Sequence, residues 1–445
     1  MAPCRPGWRV LASVLPALRL RRLHRTAGLQ KSLQQLRHRL PARRLLRLSG
    51  TRIALAPPLR PDADLTVLDV TKYFGETTGG VRTYLLEKAA YVAPRDTLSH
   101  VMIVPGAASS VTDAPGSRTY RIRGRRIPTQ APYRFLHDTG AIREIITHER
   151  PSLIEIGSPF VVPWTVHRAA RRSGIPLAWF YHGNVPRLIS QHPGHDGVLR
   201  SVGHNLAWRY VRRVSRLMRA TLVASDFVAA DLAREGIENV VRVPLGVDLG
   251  RFTPARRASR AAIRARHHLP DGPLAMFCGR FAREKHLDVL IRAWPEVERR
   301  TGARLVLVGG GPSAAWLRAQ PGAERVVWLP FERDRDALAN LVAAADLYVA
   351  PGPAETFGLA ALEALASGVP VLSVDSGGVP ELVTRSGAGA TYPIGDRAAL
   401  ADQAAALFQQ DLPALGARGR SYAEREHAWP AVFDRIFAAY RTLIG

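Results

Sequence analysis

From residue 64 onward the chain alternates two patterns of hydrophobic and polar positions. Short apolar runs stand at Leu65–Val70, 101–104, Leu153–Ile156, 177–181 and 221–224. Between them apolar residues recur at helical spacing, as over 79–92 and 164–173. Strand-length runs separated by helical stretches predict βαβ units on a parallel sheet. The segment 240–247 closes this first series, and 248–254 reads as a linker. A second series follows at 274–278, 304–308, 326–329, Leu347–Ala350 and 369–374, again with helical patterns between. After Ala423 one more helix is expected, with Trp429, Val432, Phe433, Ile436, Phe437 and Tyr440 on its core side. The pattern gives two consecutive α/β domains, 64–247 and 255–425, a C-terminal helix at 426–445 within reach of the first domain, and an N-terminal extension, 1–50. No repeat relates the two domains. Paired sheets of this kind leave a cleft at their carboxyl-end edges, where ligands of such sheets bind.

Composition agrees with a globular chain. Of 445 residues, 47% are hydrophobic and 22% charged, which excludes a disordered chain, a collagen and a coiled coil. The net charge of +25 suits something anionic: nucleic acid, a lipid surface or a phosphorylated substrate. A GC-rich genome would also enrich arginine, and only four basic residues are lysines: Lys31, Lys72, Lys88 and Lys285. Nucleic acid is disfavoured, because no stacking aromatic platform is interleaved with the charge. Cys4 and Cys278 make neither a metal pattern nor a disulfide framework. No apolar stretch reaches the roughly 18 residues of a membrane span, and 10–18 is only a weak signal-peptide core. A cytoplasmic protein, free or peripheral at the inner face of the membrane, is expected.

Residues 1–50 carry twelve basic residues and no Asp or Glu. Leu18, Leu20, Leu23, Leu29, Leu33, Leu36 and Leu40 follow a roughly helical spacing with arginines between. A basic amphipathic segment of this kind suits an anionic membrane surface; a disordered basic tail, a mistaken start and a transit peptide are the alternatives. A second basic face falls on 205–219, where Arg209, Arg212, Arg213 and Arg216 are spaced i, i+3, i+4 and i+7, with Leu206, Tyr210, Val214 and Leu217 expected on the other side. These four arginines are candidate membrane or acceptor contacts, and Arg121, Arg123, Arg125 and Arg126 add charge to the same domain.

The most informative stretch runs from Pro351 to Ala364. Glu355 belongs to the loop after the strand, Glu363 stands eight residues later in the helix, and the free N–H groups of Phe357, Gly358 and Leu359 open that helix toward an anion. A carboxylate beside a phosphate site is unfavourable unless it serves another purpose, and sugar hydroxyls suit it as an acceptor. Arg280 and Lys285, in the loop after the first strand of the second domain, supply bidentate and point-charge contacts to a diphosphate. Gly309, Gly310 and Gly311 end the next strand and permit close backbone approach. In the first domain Gly79 and Gly80 open a helix in a phosphate-cradle pattern that is neither a dinucleotide fingerprint nor a P-loop. His182 ends a strand at the cleft edge.

This set, with Gly377-Gly378-Val379-Pro380-Glu381, resembles the retaining glycosyltransferases of family 4, of GT-B fold: two facing Rossmann-like parallel α/β domains with an interdomain cleft. The resemblance spans 64–445. It implies transfer of a sugar from a nucleotide-sugar donor to an acceptor hydroxyl with retained configuration. Arg280 and Lys285 would then bind the donor diphosphate, Glu363 the ribose and Glu355 the sugar hydroxyls. The amides at Phe357, Gly358 and Leu359 would contact sugar and phosphate, Gly79, Gly80 and Gly310 would approach the donor, and His182 would lie by the reacting centre. His182 and Glu355 are the catalytic candidates. No cofactor or metal is expected, and the two Asp-x-Asp strings, at Asp62 and Asp334, read as surface charge. GDP-mannose is the favoured donor, with UDP-hexoses as the alternative and a nucleotide-sugar 2-epimerase as a more distant one. The expected acceptor is a glycan or a lipid-linked glycan.

Overall fold

The computed structural model describes residues 45–48, 51–54, 57–75, 79–128, 132–190 and 198–445. The basic leucine pattern of the N-terminal extension therefore lies outside the described residues, as do Thr77 and Thr78. The described end of that extension differs from expectation. Residues 45–48 are neither helix nor structureless tail but strand β1 (Leu45–Leu48), paired antiparallel with β2 (Thr51–Ala54). Two short strands in register satisfy each other's backbone groups.

The first domain is built on an eight-stranded sheet of β3 (Leu65–Val70), β4 (Leu98–Gly106), β5 (Ser110–Ala114), β6 (Ser117–Arg123), β7 (Leu153–Ile156), β8 (Leu177–Phe180), β9 (Ala220–Val223) and β10 (Val240–Arg242). Their spatial order is β10-β9-β8-β7-β3-β4-β6-β5, parallel except for the edge strand β5. The hairpin β5–β6 has no counterpart in the apolar pattern. The buried residues of β6 are Ser117, Arg118, Tyr120 and Ile122, two of them polar, and β5 is largely exposed. The second domain carries a six-stranded parallel sheet of β11 (Leu274–Arg280), β12 (Arg304–Gly310), β13 (Val327–Leu329), β14 (Leu347–Ala350), β15 (Val371–Val374) and β16 (Gly389–Tyr392), ordered β13-β12-β11-β14-β15-β16. The central strands β3, β7, β8, β11, β14 and β15 are buried on both faces. That is why their sequences read as continuous apolar runs.

The C-terminal helix begins at Trp429, a few residues later than the expected bound of 426, because the preceding helix runs on to His427. Leu412–His427 packs on the second domain and breaks at Ala428, whose φ of −63° and ψ of 127° are extended. Pro430, in the first turn of the next helix, disfavours helical conformation just before it. Helix Trp429–Ile444 then lies against helix Gly80–Val92 of the first domain. Trp429, Val432, Phe433, Ile436, Phe437 and Tyr440 are all buried, as their spacing predicts. Tyr440 reaches a sealed cluster in the first domain: its hydroxyl accepts from Lys88 Nζ at 2.9 Å and donates to Glu155, while Lys88 also pairs with Asp69 at 2.9 Å. Val247 N donates to His427 O at 2.8 Å, so the linker and the Ala428 break cross between domains side by side.

Candidate functional site

The carboxyl ends of β8 and of β11 and β14 face one another across a cavity of about 290 Å³. Gly80, Val81, His182 and Ala224 line it from the first domain. Gly279, Lys285, Glu355, Thr356, Phe357, Gly358 and Leu359 line it from the second. The loop after β14 thus supplies a continuous wall, closed by the start of helix Leu359–Ala366. Gly358 caps that helix in the left-handed region, at φ +94°, and a Cβ there would stand 2.3 Å from Val379. Only glycine turns the chain at this point while packing against the Gly377–Gly378 loop. At the end of β12, a Cβ on Gly309 would fall 1.9 Å from the carbonyl oxygen of Gly279, so these strands can lie this close only without a side chain.

Lys285 and Glu355 meet on this wall, Nζ against Oε1. Glu355 is therefore held toward a cation rather than toward the helix amides beside it. Arg280 ends β11 next to Gly310 of β12, and its side chain is 62% exposed and paired with Glu284. Its charge faces Tyr73 and Tyr133 of the first domain, lowering phenol pKa values that burial raises more strongly. Gly310 O accepts from Phe281 N at 2.8 Å, and space is open where its Cβ would stand. Glu363 is buried one layer deeper, with Oε1 2.5 Å from Arg335. Burial raises its pKa, against the pull of Arg335. Gly80 stands opposite Leu359, a Cβ on it being 3.6 Å from that side chain; Gly79 caps its helix beside it without lining the cavity.

His182 lies flat on Phe180, with ring centroids 4.0 Å apart and planes at 9°, and meets the edge of Tyr84 at 5.7 Å. Its Nε2 is covered and has no hydrogen-bond partner among the described residues. Burial, helped by the charge of Lys88, pulls its pKa down to about 3. At neutral pH it is an uncharged imidazole.

Of the four arginines, Arg209 and Arg213 are exposed on helix Val198–Ser215, Arg216 is exposed in the turn just after it, and Arg212 is bound to Glu235 at 2.5 Å. Leu206 departs from expectation. It is 55% exposed, and the buried side is formed by Ala207, Trp208, Val211 and Val214 instead. The helix is buried along a narrower stripe than the sequence suggests, which leaves Leu206 among the arginines.

Several residues that shape the site gave no sign in the sequence of the partners they meet. Thr356 Oγ1 donates to His182 O at 2.8 Å, and Ser225 Oγ donates to Thr356 O at 2.7 Å. Glu381 accepts from the amides of Asp226 and Phe227 at 3.0 and 2.5 Å, capping a first-domain helix from the second domain. Glu381 was visible as part of a motif, but its partner lies 155 residues away. Among the described residues no cluster of three His, Cys, Asp or Glu is placed to hold a metal ion, and no helix is long and apolar enough to cross a membrane.

Residues 78–251 match the family described as Glycosyltransferase Family 4, and residues 272–410 match Glycosyl transferases group 1. A GDP-mannose-dependent alpha-(1-6)-phosphatidylinositol dimannoside mannosyltransferase of Mycobacterium tuberculosis is 32% identical over 326 residues, 72% of this chain and 82% of that protein. A D-inositol 3-phosphate glycosyltransferase of Mycolicibacterium smegmatis is 31% identical over 398 residues, 81% of this chain and 86% of that protein. Among solved structures, sucrose-phosphate synthase from Thermosynechococcus elongatus superposes with a TM-score of 0.71 at 21% identity, covering 85% of this chain and 99% of that one. HepE from Anabaena, in complex with UDP-glucose, gives 0.64 at 16% identity, covering 85% of this chain and 100% of that one. These two likenesses concern the fold alone. With two facing parallel domains, a cavity between them and relatives of this closeness, the chain is a GT-B glycosyltransferase and belongs to glycosyltransferase family 4.

Proposed function

We propose that the enzyme transfers mannose from GDP-mannose to a hydroxyl of a phosphate-bearing glycolipid, with retained configuration and without a divalent ion. The observation that carries this reading is the meeting of Lys285 and Glu355 on one wall of the interdomain cavity, opposite His182. The donor diphosphate would take over Lys285 and Arg280, while the amides of Phe357, Gly358 and Leu359 would meet its remaining charge. Fixed donors and cations of this kind stabilise the charge that develops on a departing diphosphate. Glu355, freed from Lys285, would accept from the sugar hydroxyls, and Glu363 would accept from the ribose. A departing phosphate oxygen could then take the acceptor's proton on the face it leaves. His182, neutral and covered, would position the sugar rather than act as a strong base.

Mannose, GDP and the phosphoinositide class follow the names of the relatives. A UDP-hexose is the second reading, favoured by the fold neighbour solved with UDP-glucose. Donor hydrolysis by purified protein, screened across GDP- and UDP-sugars, decides between them. Conversion of the donor to an epimer without acceptor would instead indicate an epimerase. Docking on anionic lipid at the inner membrane face would use Arg209, Arg213 and Arg216 with the exposed Leu206, Val202 and Trp164; Arg213 stands over the Trp164 ring at 6.0 Å. Equal co-sedimentation with neutral and anionic vesicles would refute that docking.

A further inference from the structure

Three neighbouring strands of the first sheet, β8, β7 and β3, end side by side. β8 leads to His182, β7 to Gly157, Ser158 and Phe160, and β3 to Thr71, Lys72 and Tyr73. The three ends are tightly joined. A Cβ on Gly157 would lie 3.4 Å from Thr71 Oγ1 and 3.6 Å from His182 Nε2. Thr71 Oγ1 and Ser158 Oγ share a hydrogen bond at 2.8 Å, and Lys72 N donates to Ser158 Oγ at 2.8 Å. The strip from the donor cavity to Lys72 is thus continuous.

Lys72 is only 9% exposed, yet among the described residues no hydrogen bond or ion pair holds its Nζ. The ammonium stands 5.1 Å from the Tyr73 ring centroid and 5.3 Å from that of Phe160. The stem of Lys72 is covered while its ammonium stays accessible at the surface without a neutralising partner among the described residues, so an anion arriving there would meet a positioned cation. Sequence usage points the same way. With 62 lysines and arginines of which four are lysine, this chain uses arginine almost everywhere. Of the three described lysines, Lys88 sits in the sealed Asp69–Glu155 cluster and Lys285 faces the donor wall. Lys72 alone has no carboxylate partner among the described residues. Phe160 adds an independent sign. It is a non-glycine residue at φ +69°, and it is 48% exposed. Tyr210 holds that backbone in place, its hydroxyl accepting from Phe160 N at 2.5 Å. Strained backbone maintained by its surroundings concentrates at functional sites.

We propose that Lys72, framed by the ring faces of Tyr73 and Phe160, is an acceptor subsite that takes the acceptor's phosphate, with the polyol or sugar ring of the acceptor against Phe160. The subsite lies at the ends of β3 and β7, two strands and one strand from β8 and His182 on the same edge of the sheet. This rests on the glycosyltransferase reading above and adds to it the group that recognises the acceptor's charge. The phosphate belongs either to a lipid headgroup, as a diester, or to a soluble phosphate ester.

The test uses the full-length protein, the variants Lys72→Gln and Lys72→Arg, and four probes: soluble glycerophosphoinositol, inositol 1-phosphate, neutral myo-inositol, and phosphatidylcholine vesicles with or without phosphatidylinositol. Calorimetric titrations are run with and without GDP, and GDP binding by each variant reports an intact fold and donor site. Lys72→Gln is expected to weaken a phosphate-bearing probe at least tenfold, to leave myo-inositol unchanged, and to be largely rescued in Lys72→Arg. A lysine dependence strongest with phosphatidylinositol vesicles assigns the lipid source, and one strongest with inositol 1-phosphate the soluble source. Equal affinity of wild type and Lys72→Gln for every phosphate probe overturns the proposal, as does failure of the wild type to bind any of them. Wild type that binds no GDP would count against the donor reading instead, a separate failure.

Discussion

The hydroxyl of Thr356 donates to the backbone carbonyl of His182 across the cleft, at 2.8 Å, while the carbonyl of Thr356 accepts from Ser225 at 2.7 Å. One residue, placed between the cavity-lining Glu355 and Phe357, is therefore tied twice to the first domain. The bonds can form only with the lobes together, so Thr356 reports domain closure directly to the site. A single such hydrogen bond contributes about 1 kcal/mol. Thr356→Val should lower kcat/KM by roughly fivefold, and Thr356→Ser, which retains the hydroxyl, should stay near wild type. Adding Ser225→Ala to Thr356→Val should cost less than the sum of the single effects, because both act on the same contact. Strict additivity would show the two bonds to be independent of closure.

Glu381 closes the other side of the same interface. Its carboxylate accepts from the first two amides of helix Asp226–Arg234, where a negative charge is favoured by the free N–H groups and the helix dipole. Arg385 and Arg242 converge on the neighbouring Asp226 at 2.5 and 2.6 Å. Loss of a cap of this kind costs about 1 kcal/mol, and here that cost falls on closure rather than on either domain. Glu381→Ala should enlarge the radius of gyration in solution scattering and speed proteolysis at the 248–254 linker, while each domain keeps its own circular dichroism. An unchanged scattering profile would show that the lobes stay together without this cap.

What the sequence made legible follows from burial. Strands β3, β7, β8, β11 and β14 are sealed on both faces, so their apolar runs stand out, and β3, β7 and β14 begin and end where the pattern places them. Hairpin β5–β6 is half exposed and carries too little apolar signal to see. The cavity wall at Glu355, Phe357 and Gly358, with Glu363 buried behind it, could be read because these residues are local in sequence. Thr356, Ser225 and Glu381 could not, since each acts on a partner more than 130 residues away and nothing in residue type or spacing announces such a pairing. Leu206 misled the helix reading because a leucine among arginines looks like the edge of a buried stripe, whereas the stripe is set by Trp208 and Val211.

The pairing of Lys285 with Glu355 makes an expectation for both. If the donor diphosphate takes over Lys285 as proposed, removing Lys285 takes away a cation whose contact strengthens as charge develops on the departing group. Lys285→Ala should therefore lower kcat by at least about tenfold, equivalent to roughly 1.4 kcal/mol of transition-state stabilisation. Glu355→Gln should do the same while leaving GDP affinity within about twofold, because the carboxylate is read as holding sugar rather than nucleotide. Wild-type turnover in both variants would remove these residues from the mechanism, and loss of GDP binding in Glu355→Gln would reassign the carboxylate to the nucleotide.

His182 links the site to acid stability. Its pKa in the folded protein lies near 3, first because the ring is buried and second because Lys88 is close. An unfolded histidine titrates near 6.5. Between these values the unfolded chain binds a proton that the folded protein refuses, so the stability present above pH about 6.5 is lost progressively as pH falls toward 3. Each such group has a slope of up to roughly 1.4 kcal/mol per pH unit, or about 2 kcal/mol between neutrality and pH 5. His427, buried at the domain crossing and held near 4, acts in the same direction. Urea unfolding of wild type should show a clear loss of stability between pH 7.5 and 5. His182→Phe, which keeps a flat ring on Phe180, should lose about 2 kcal/mol less over that interval, whatever its effect on turnover. The same protonation argument applies to catalysis: with the imidazole neutral throughout pH 5–8, the rate profile of the wild type should show no limb from His182 in that range. Equal acid sensitivity of wild type and His182→Phe would mean that the ring titrates normally and is open to water in the folded enzyme.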